Sequence, residues 1–276
     1  GSEMCIRDSK KMVGNYMRLD EEYCLSEYVD LGRLGDNEKV HIVRNQVNGV
    51  IGVRKYVALD LEEIYLFLKE NPNAYIPKIY ECIQTDTNLI VIEEYLSGKN
   101  LEEMLKEKYF SEKDAADIII CLCNALYPLH HAKMPVICRD LKAENVILTN
   151  EGEVKLVDFD IARIYQPGKS KDTVMMGTQG YAAPEQFGFG QTDARTDIYA
   201  MGVLLNYMLV REFPMEKLTE GKFRTIVLKC IKINPEDRYQ NVDELKADIC
   251  NAAEIPCSSM AVSYTHLRAH ETLRHL

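Results

Sequence analysis

Apolar and polar residues alternate through residues 27–35, again through 39–43 and again through 50–57. A period of two puts every second side chain on one face of a strand, and the Asn48-Gly49 dipeptide is a turn signal between the last two runs. The pattern predicts a meander of three antiparallel strands. The period then changes. Residues 60–69 carry apolar side chains at helical spacing, with Asp60 as the expected N-cap, Glu63 as its capping-box partner and Asn71-Pro72-Asn73 as the stop. Residues 88–98 read as a buried strand ending in a connector. Beyond it, residues 100–106 and 111–131 return to the helical period behind a capping-box start, and residues 154–157 form a further strand.

Composition narrows this picture. The 276 residues allow one large domain or two lobes around a cleft, and the sequence has no run of about 18 apolar residues that could span a membrane. A net charge of -10 argues against a nucleic-acid binder, which needs a basic stripe, and favours basic protein partners. The nine cysteines form no C-x-x-C pair, so they are expected to be buried, reduced thiols of a cytoplasmic protein. Residues 4–9 and 261–272 resemble translated adaptor sequence and Gly1-Ser2 a tag scar; these ends, with His266, His270 and His275, are set aside.

The chemistry concentrates in residues 137–148, Ile-Cys-Arg-Asp-Leu-Lys-Ala-Glu-Asn-Val-Ile-Leu, and in Asp158-Phe159-Asp160, which begins ten residues further on. The form R-D-x-K-x-x-N between apolar residues predicts a short loop that raises Asp140, Lys142 and Asn145 above a β-rich floor. Carboxylates and an amide oxygen can hold a hard divalent cation, while a remaining carboxylate orients a hydroxyl. Residue types, internal spacing and the gap between motifs all resemble the catalytic loop and metal-binding motif of the protein kinases. Gly177-Thr178, Ala183-Pro184-Glu185, the stretch 193–205 and Asn234-Pro-Glu-Asp-Arg238 extend the resemblance downstream. It runs from about Tyr23 to Asn251 and is greatest to the bacterial kinases of eukaryotic (Hanks-type) serine/threonine class.

The resemblance implies an α+β bilobal fold. A small antiparallel β-rich N-lobe (10–95) with a short helix C would be followed by a larger, mostly α-helical C-lobe (96–253). Residues 1–9 and 254–276 would flank them, the latter adaptor-like from 261. Further implications concern the site. ATP would lie with adenine between Val40 and Val53 above and Ile147 below, with backbone groups offered by Glu94 to Leu96. Lys55 would steady the α- and β-phosphates and pair with Glu62 of helix C, with Glu63 as runner-up. Asn145 and Asp158 would hold Mg²⁺, or alternatively Mn²⁺. Asp140 would orient the acceptor hydroxyl and Lys142 would neutralise the γ-phosphate. Anchoring the glycine-loop pattern on Val40 puts Arg33, Gly35 and Glu38 at the three glycine positions, so only Gly35 survives in register. Glu93 falls where most kinases carry an apolar gatekeeper, and a buried carboxylate there needs a partner.

Two other departures stand out. Cys138 replaces the usual histidine, a packing position expected in a column with Phe159, Leu66 and Ile79. Asp160 replaces a glycine. Arg139, directly before Asp140, is the expected receptor for an activation-segment phosphate: Thr173 is the predicted autophosphorylation site, Ser170 lies in the segment's tip, and Thr178 is expected to hydrogen-bond near Asp140 and Lys142. The expected activity is transfer of the ATP γ-phosphate to Ser/Thr hydroxyls of proteins, with self-association for autophosphorylation in trans. A pseudokinase scaffold is the alternative, supported by the eroded glycine loop, Asp160 and the short helix C. A small-molecule kinase is disfavoured by Thr178, Glu185 and Asp197. The expected location is cytoplasmic, leaving room for a membrane anchor in a longer protein.

Overall fold

The computed structural model describes residues 19–35, 38–166, 177–188 and 190–256. They divide into two compact units, one built from the chain up to Lys69 together with Ile79–Tyr95, the other from Glu70–Lys78 and the chain from Leu96 onward.

The first unit opens with α1 (Leu19–Ser26) and is dominated by a five-stranded sheet. Its strands are β1 (Tyr28–Arg33), β2 (Val40–Asn45), β3 (Ile51–Val57), β4 (Ile79–Gln84) and β5 (Leu89–Glu94), in the order β1-β2-β3-β5-β4. All neighbours are antiparallel, and the three-strand meander is present as expected. The turn between β2 and β3 uses Gly49 at φ +75°, a left-handed conformation open to glycine at little cost. A second glycine, Gly32 (φ +131°), sits at a bulge in β1, where its N–H donates to Asp30 Oδ1 at 2.8 Å. Along β5 Leu89, Ile90, Val91 and Ile92 are all buried, which explains why this strand reads as a continuous apolar run.

The helix of this unit begins differently from the expectation. Leu59–Leu61 is a 3₁₀ turn with Ala58 at its N-cap and no side-chain cap, so Asp60 lies inside the turn rather than capping it. The α-helix proper, α2 (Glu62–Glu70), follows and buries Ile64, Tyr65 and Leu68.

The second unit carries three-stranded and two-stranded ribbons and most of the helices. The ribbons pair β6 (Gly98–Asn100), β8 (Val146–Thr149) and β9 (Val154–Leu156), and β7 (Val136–Ile137) with β10 (Arg163–Ile164). Helix α3 (Leu101–Glu107) starts at Asn100 and α4 (Glu112–His130) at Ser111, each through a full capping box. Helix α5 (Ala194–Val210) is capped by Asp193, whose side chain accepts from the Arg195 N–H. It is followed by α6 (Arg224–Cys230) and α7 (Val242–Ala253), and α4 packs against both α5 and α7. Gly202 permits the close approach of α5 and α6: a Cβ there would stand 2.2 Å from Cys230 Cβ.

Glu185 and Arg238 form the buried anchor of this unit. Arg238 Nη1 donates to Glu185 Oε1 at 2.7 Å and Nη2 to Oε2 at 2.9 Å. Its remaining donors reach the carbonyls of Lys232, Arg195 and Ile233, so all five guanidinium N–H groups are used. Thr196 Oγ1 adds a 2.8 Å bond to Glu185 Oε1. The pairing expected from the sequence is therefore present.

Candidate active site

The chemistry of the second unit starts from a buried carboxylate on α5. Asp197 is fully buried, and its Oδ1 accepts the Arg139 N–H at 2.8 Å. Its Oδ2 accepts the Cys138 N–H at 2.9 Å and lies 2.8 Å from His130 Nε2. Gln186 Nε2 completes the clamp with a 2.9 Å bond to the Arg139 carbonyl. These contacts hold Arg139 at φ +68°, a left-handed conformation costly for a residue with a Cβ. Strain of this kind persists only where surrounding bonds fix it, and here they aim the next residue, Asp140.

Asp140 is met by three side-chain donors. Thr178 Oγ1 donates to Oδ1 at 2.7 Å, Asn145 Nδ2 donates to Oδ2 at 2.9 Å, and Lys142 Nζ lies 2.7 Å from Oδ2. Lys142 Nζ also donates to Thr178 Oγ1 at 3.1 Å, closing a ring of Asp140, Lys142 and Thr178. Thr178 thus sits where the sequence placed it. An acceptor hydroxyl approaching this carboxylate finds an oxygen already oriented, and the Lys142 ammonium beside it offsets negative charge. Because Thr178 holds one oxygen of Asp140 through a charge-assisted bond worth about 1.5–3 kcal/mol, Thr178→Ala should lower turnover about tenfold to a hundredfold. Thr178→Ser should recover most of it in the same steady-state assay. A wild-type rate in Thr178→Ala would show that the ring is only packing.

Asn145 and Asp158 offer oxygen donors. The Asn145 amide nitrogen is spent on Asp140, on the main-chain oxygen and Oδ2 alike, which leaves its carbonyl oxygen for a ligand. Asp158 sits at φ +68° and accepts the Asp160 N–H on Oδ1 at 3.1 Å. An amide oxygen and a carboxylate suit a hard divalent cation. Among the described residues no group of three or more His, Cys, Asp or Glu could hold a metal alone, so these two do not make a closed protein cage.

Burial pushes the Cys138 thiol well above its ordinary range, with the Asp197 carboxylate adding to the effect, so it acts as a small apolar filler. Phe159, in the second unit, and Ile79, in the first, are each buried. Leu66 is not: it is 40% exposed and fills no buried column.

The other expected residues lie where follows. Ile147 is in β8, opposite Asn100 and Lys155, and is half-buried; Leu96 is half-buried in the second unit. In the first unit Val40 faces Lys55, and buried Val53 faces both Ile42 and Glu93. Glu94 ends β5 opposite Gly52. Gly35 is at φ +69°, while Arg33 and Glu38, in two of the glycine positions, face each other as an exposed 3.2 Å pair. Lys55 has a partner that the sequence did not point to: its Nζ lies 2.5 Å from Glu93 Oε1. The cause is register, because β3 and β5 are neighbours and put both side chains on one face. Thr173 and Ser170 lie outside the described residues.

Three residues of the clamp, His130, Gln186 and Asp197, were not singled out for this role by the sequence. The available signal was an aspartate inside the apolar run of α5, between Thr196 and Ile198, where an acid has no reason to sit without buried donors.

Comparison with known proteins agrees with this geometry. A family model described as "Protein kinase domain" matches residues 43–266. The chain is 31% identical over 215 residues to the "Probable serine/threonine-protein kinase PknB" of Corynebacterium glutamicum, covering 66% of this chain and 32% of that protein. It is 28% identical over 272 residues to the "Serine/threonine-protein kinase PknB" of Mycobacterium tuberculosis, covering 84% of this chain and 43% of that protein. The chain thus spans less than half the length of these relatives. With a match over most of its length and the motif residues gathered around Asp140, the chain belongs to the protein kinase domain family.

Proposed function

We propose that the chain is the catalytic domain of a protein serine/threonine kinase that transfers the γ-phosphate of ATP to Ser/Thr hydroxyls. The observation that carries this reading is the ring of Asp140, Lys142 and Thr178, with Asn145 bracing the same carboxylate. Asp140 orients the acceptor hydroxyl and takes up its proton on a carboxylate oxygen. Lys142, two residues on, sets positive charge where the transferred group gains negative charge. Lys55 binds phosphate oxygens. A divalent cation, Mg²⁺ or alternatively Mn²⁺, held by Asn145 and Asp158, would supply neutralisation of phosphate charge.

The substrates in this reading are proteins, with a second copy of the chain as the first of them. Arg139 is proposed to receive a phosphate on Thr173. Seven free cysteines among the described residues fit a reducing, cytoplasmic setting. No helix among the described residues is long and apolar enough to cross a membrane. A pseudokinase is the second reading, favoured by one observation: Arg33 and Glu38 pair with each other at two of the three positions where glycine backbone would cradle phosphate.

Transfer of labelled γ-phosphate to a generic basic protein tests the proposal. A glycine loop with one glycine in register offers fewer backbone N–H groups, so the KM for ATP should fall toward the upper end of the usual range of about 1 μM to 1 mM. Transfer with that KM supports the kinase; nucleotide binding without transfer selects the pseudokinase.

A further inference from the structure

Lys55 and Glu93 form a buried ion pair inside one sheet. The ammonium and carboxylate are 2.5 Å apart, and their side chains are only 15% and 8% exposed. In the β3–β5 register Val53 faces Glu93 and Lys55 faces Val91, so the two charged residues are diagonal neighbours on the same face. Val53 and Val91, which face Glu93 and Lys55 on the same side of the sheet, are buried, as is Glu93, while Lys55 keeps a small exposed fraction.

Glu62 opens α2, whereas Glu93 belongs to β5, the strand paired with β3, and is the carboxylate 2.5 Å from the Lys55 ammonium.

We propose that Glu93 is the positioning residue for Lys55 in phosphoryl transfer, so that the ammonium is held by the sheet and its readiness does not depend on α2. The proposal rests on the kinase reading for the role of Lys55, but the pairing itself does not. A strand-to-strand pair has consequences that a helix-borne one lacks. The two residues are fixed by the same ladder of backbone hydrogen bonds, so a shift of α2 leaves their separation unchanged. An anion arriving at Lys55 meets an ammonium that the Glu93 carboxylate holds in a fixed orientation.

The test uses the whole chain carrying Glu93→Gln, Glu93→Asp or Glu62→Gln, each first checked for an intact melting transition. Amine-reactive labelling of Lys55, read by mass spectrometry without nucleotide, should run at least threefold faster in Glu93→Gln than in the wild type. Glu93→Asp should return it part of the way, a recovery that mere cavity filling would not give. In steady-state transfer Glu93→Gln should lose at least tenfold more kcat/KM for ATP than Glu62→Gln does. Should Glu93→Gln fail to fold, Glu93→Asp against Glu62→Gln gives the same ranking with smaller differences. Unchanged labelling in the Glu93 variants, or a larger loss in Glu62→Gln, overturns the proposal. Faster labelling in a chain that transfers no phosphate in any form leaves the pairing standing and overturns the kinase reading, and with it the role in transfer.

Discussion

Asp140→Asn is expected to lower turnover about 10²–10⁴-fold, the contribution typical of a positioned general base, with little change in the KM for ATP. The carboxylate and amide are nearly isosteric, so the variant preserves volume. It does not preserve the bonds. The Lys142 ammonium at 2.7 Å loses its counter-charge, and an amide in place of the carboxylate keeps only one accepting oxygen for the three donors of Thr178, Asn145 and Lys142. The Arg139 main-chain clamp on Asp197 and Gln186 is untouched, so the loop itself should stay in place. Loss of kcat at constant KM therefore separates a chemical role from a structural one. A turnover within a factor of a few of wild type would remove Asp140 from the mechanism.

The second large effect is on stability. Arg238→Ala should destabilise the chain by about 3–5 kcal/mol, the range for removing one partner of a buried ion pair. Arg238 is fully buried with its five donors used, and its loss strands Glu185, itself only 6% exposed, with the Thr196 hydroxyl still donating to it. The carbonyls of Lys232, Arg195 and Ile233 lose their donor as well. For a chain of this size the melting temperature should drop by roughly 6–20 °C at 2–4 °C per kcal/mol. Arg238→Lys should recover only part of this, since one ammonium cannot reproduce a bidentate fork. An unchanged melting temperature would mean that the Glu185–Arg238 pair does not anchor the unit.

The elements legible in the sequence are those whose signal is local. The Asn48-Gly49 turn, the Asn100 and Ser111 caps and the apolar run of β5 each announce themselves within a few residues. Lys55 was located by its interval from Val40, and the structure sets the two opposite each other. The ring around Asp140 was legible in part because its residues recur at fixed spacing in a known family. What stayed hidden depends on long-range pairing. Glu93 reaches Lys55 through the β3–β5 register, which local alternation does not specify. Likewise the Asp197 clamp joins residues 58 and 59 positions apart in the chain. The start of α2 failed for another reason: a 3₁₀ turn shares the composition of a first helical turn, so Asp60 looked like a cap that the backbone did not need.

The most direct measurement is mass spectrometry of the chain after incubation with Mg²⁺-ATP, beside the Asp140→Asn variant and a chelator control. Phosphate on serine or threonine, Thr173 among the modified residues, and none in either control is the result expected of a serine/threonine kinase that uses Asp140. No phosphate on the wild-type chain or on an added basic protein, or equal phosphate in the Asp140→Asn variant, would contradict it.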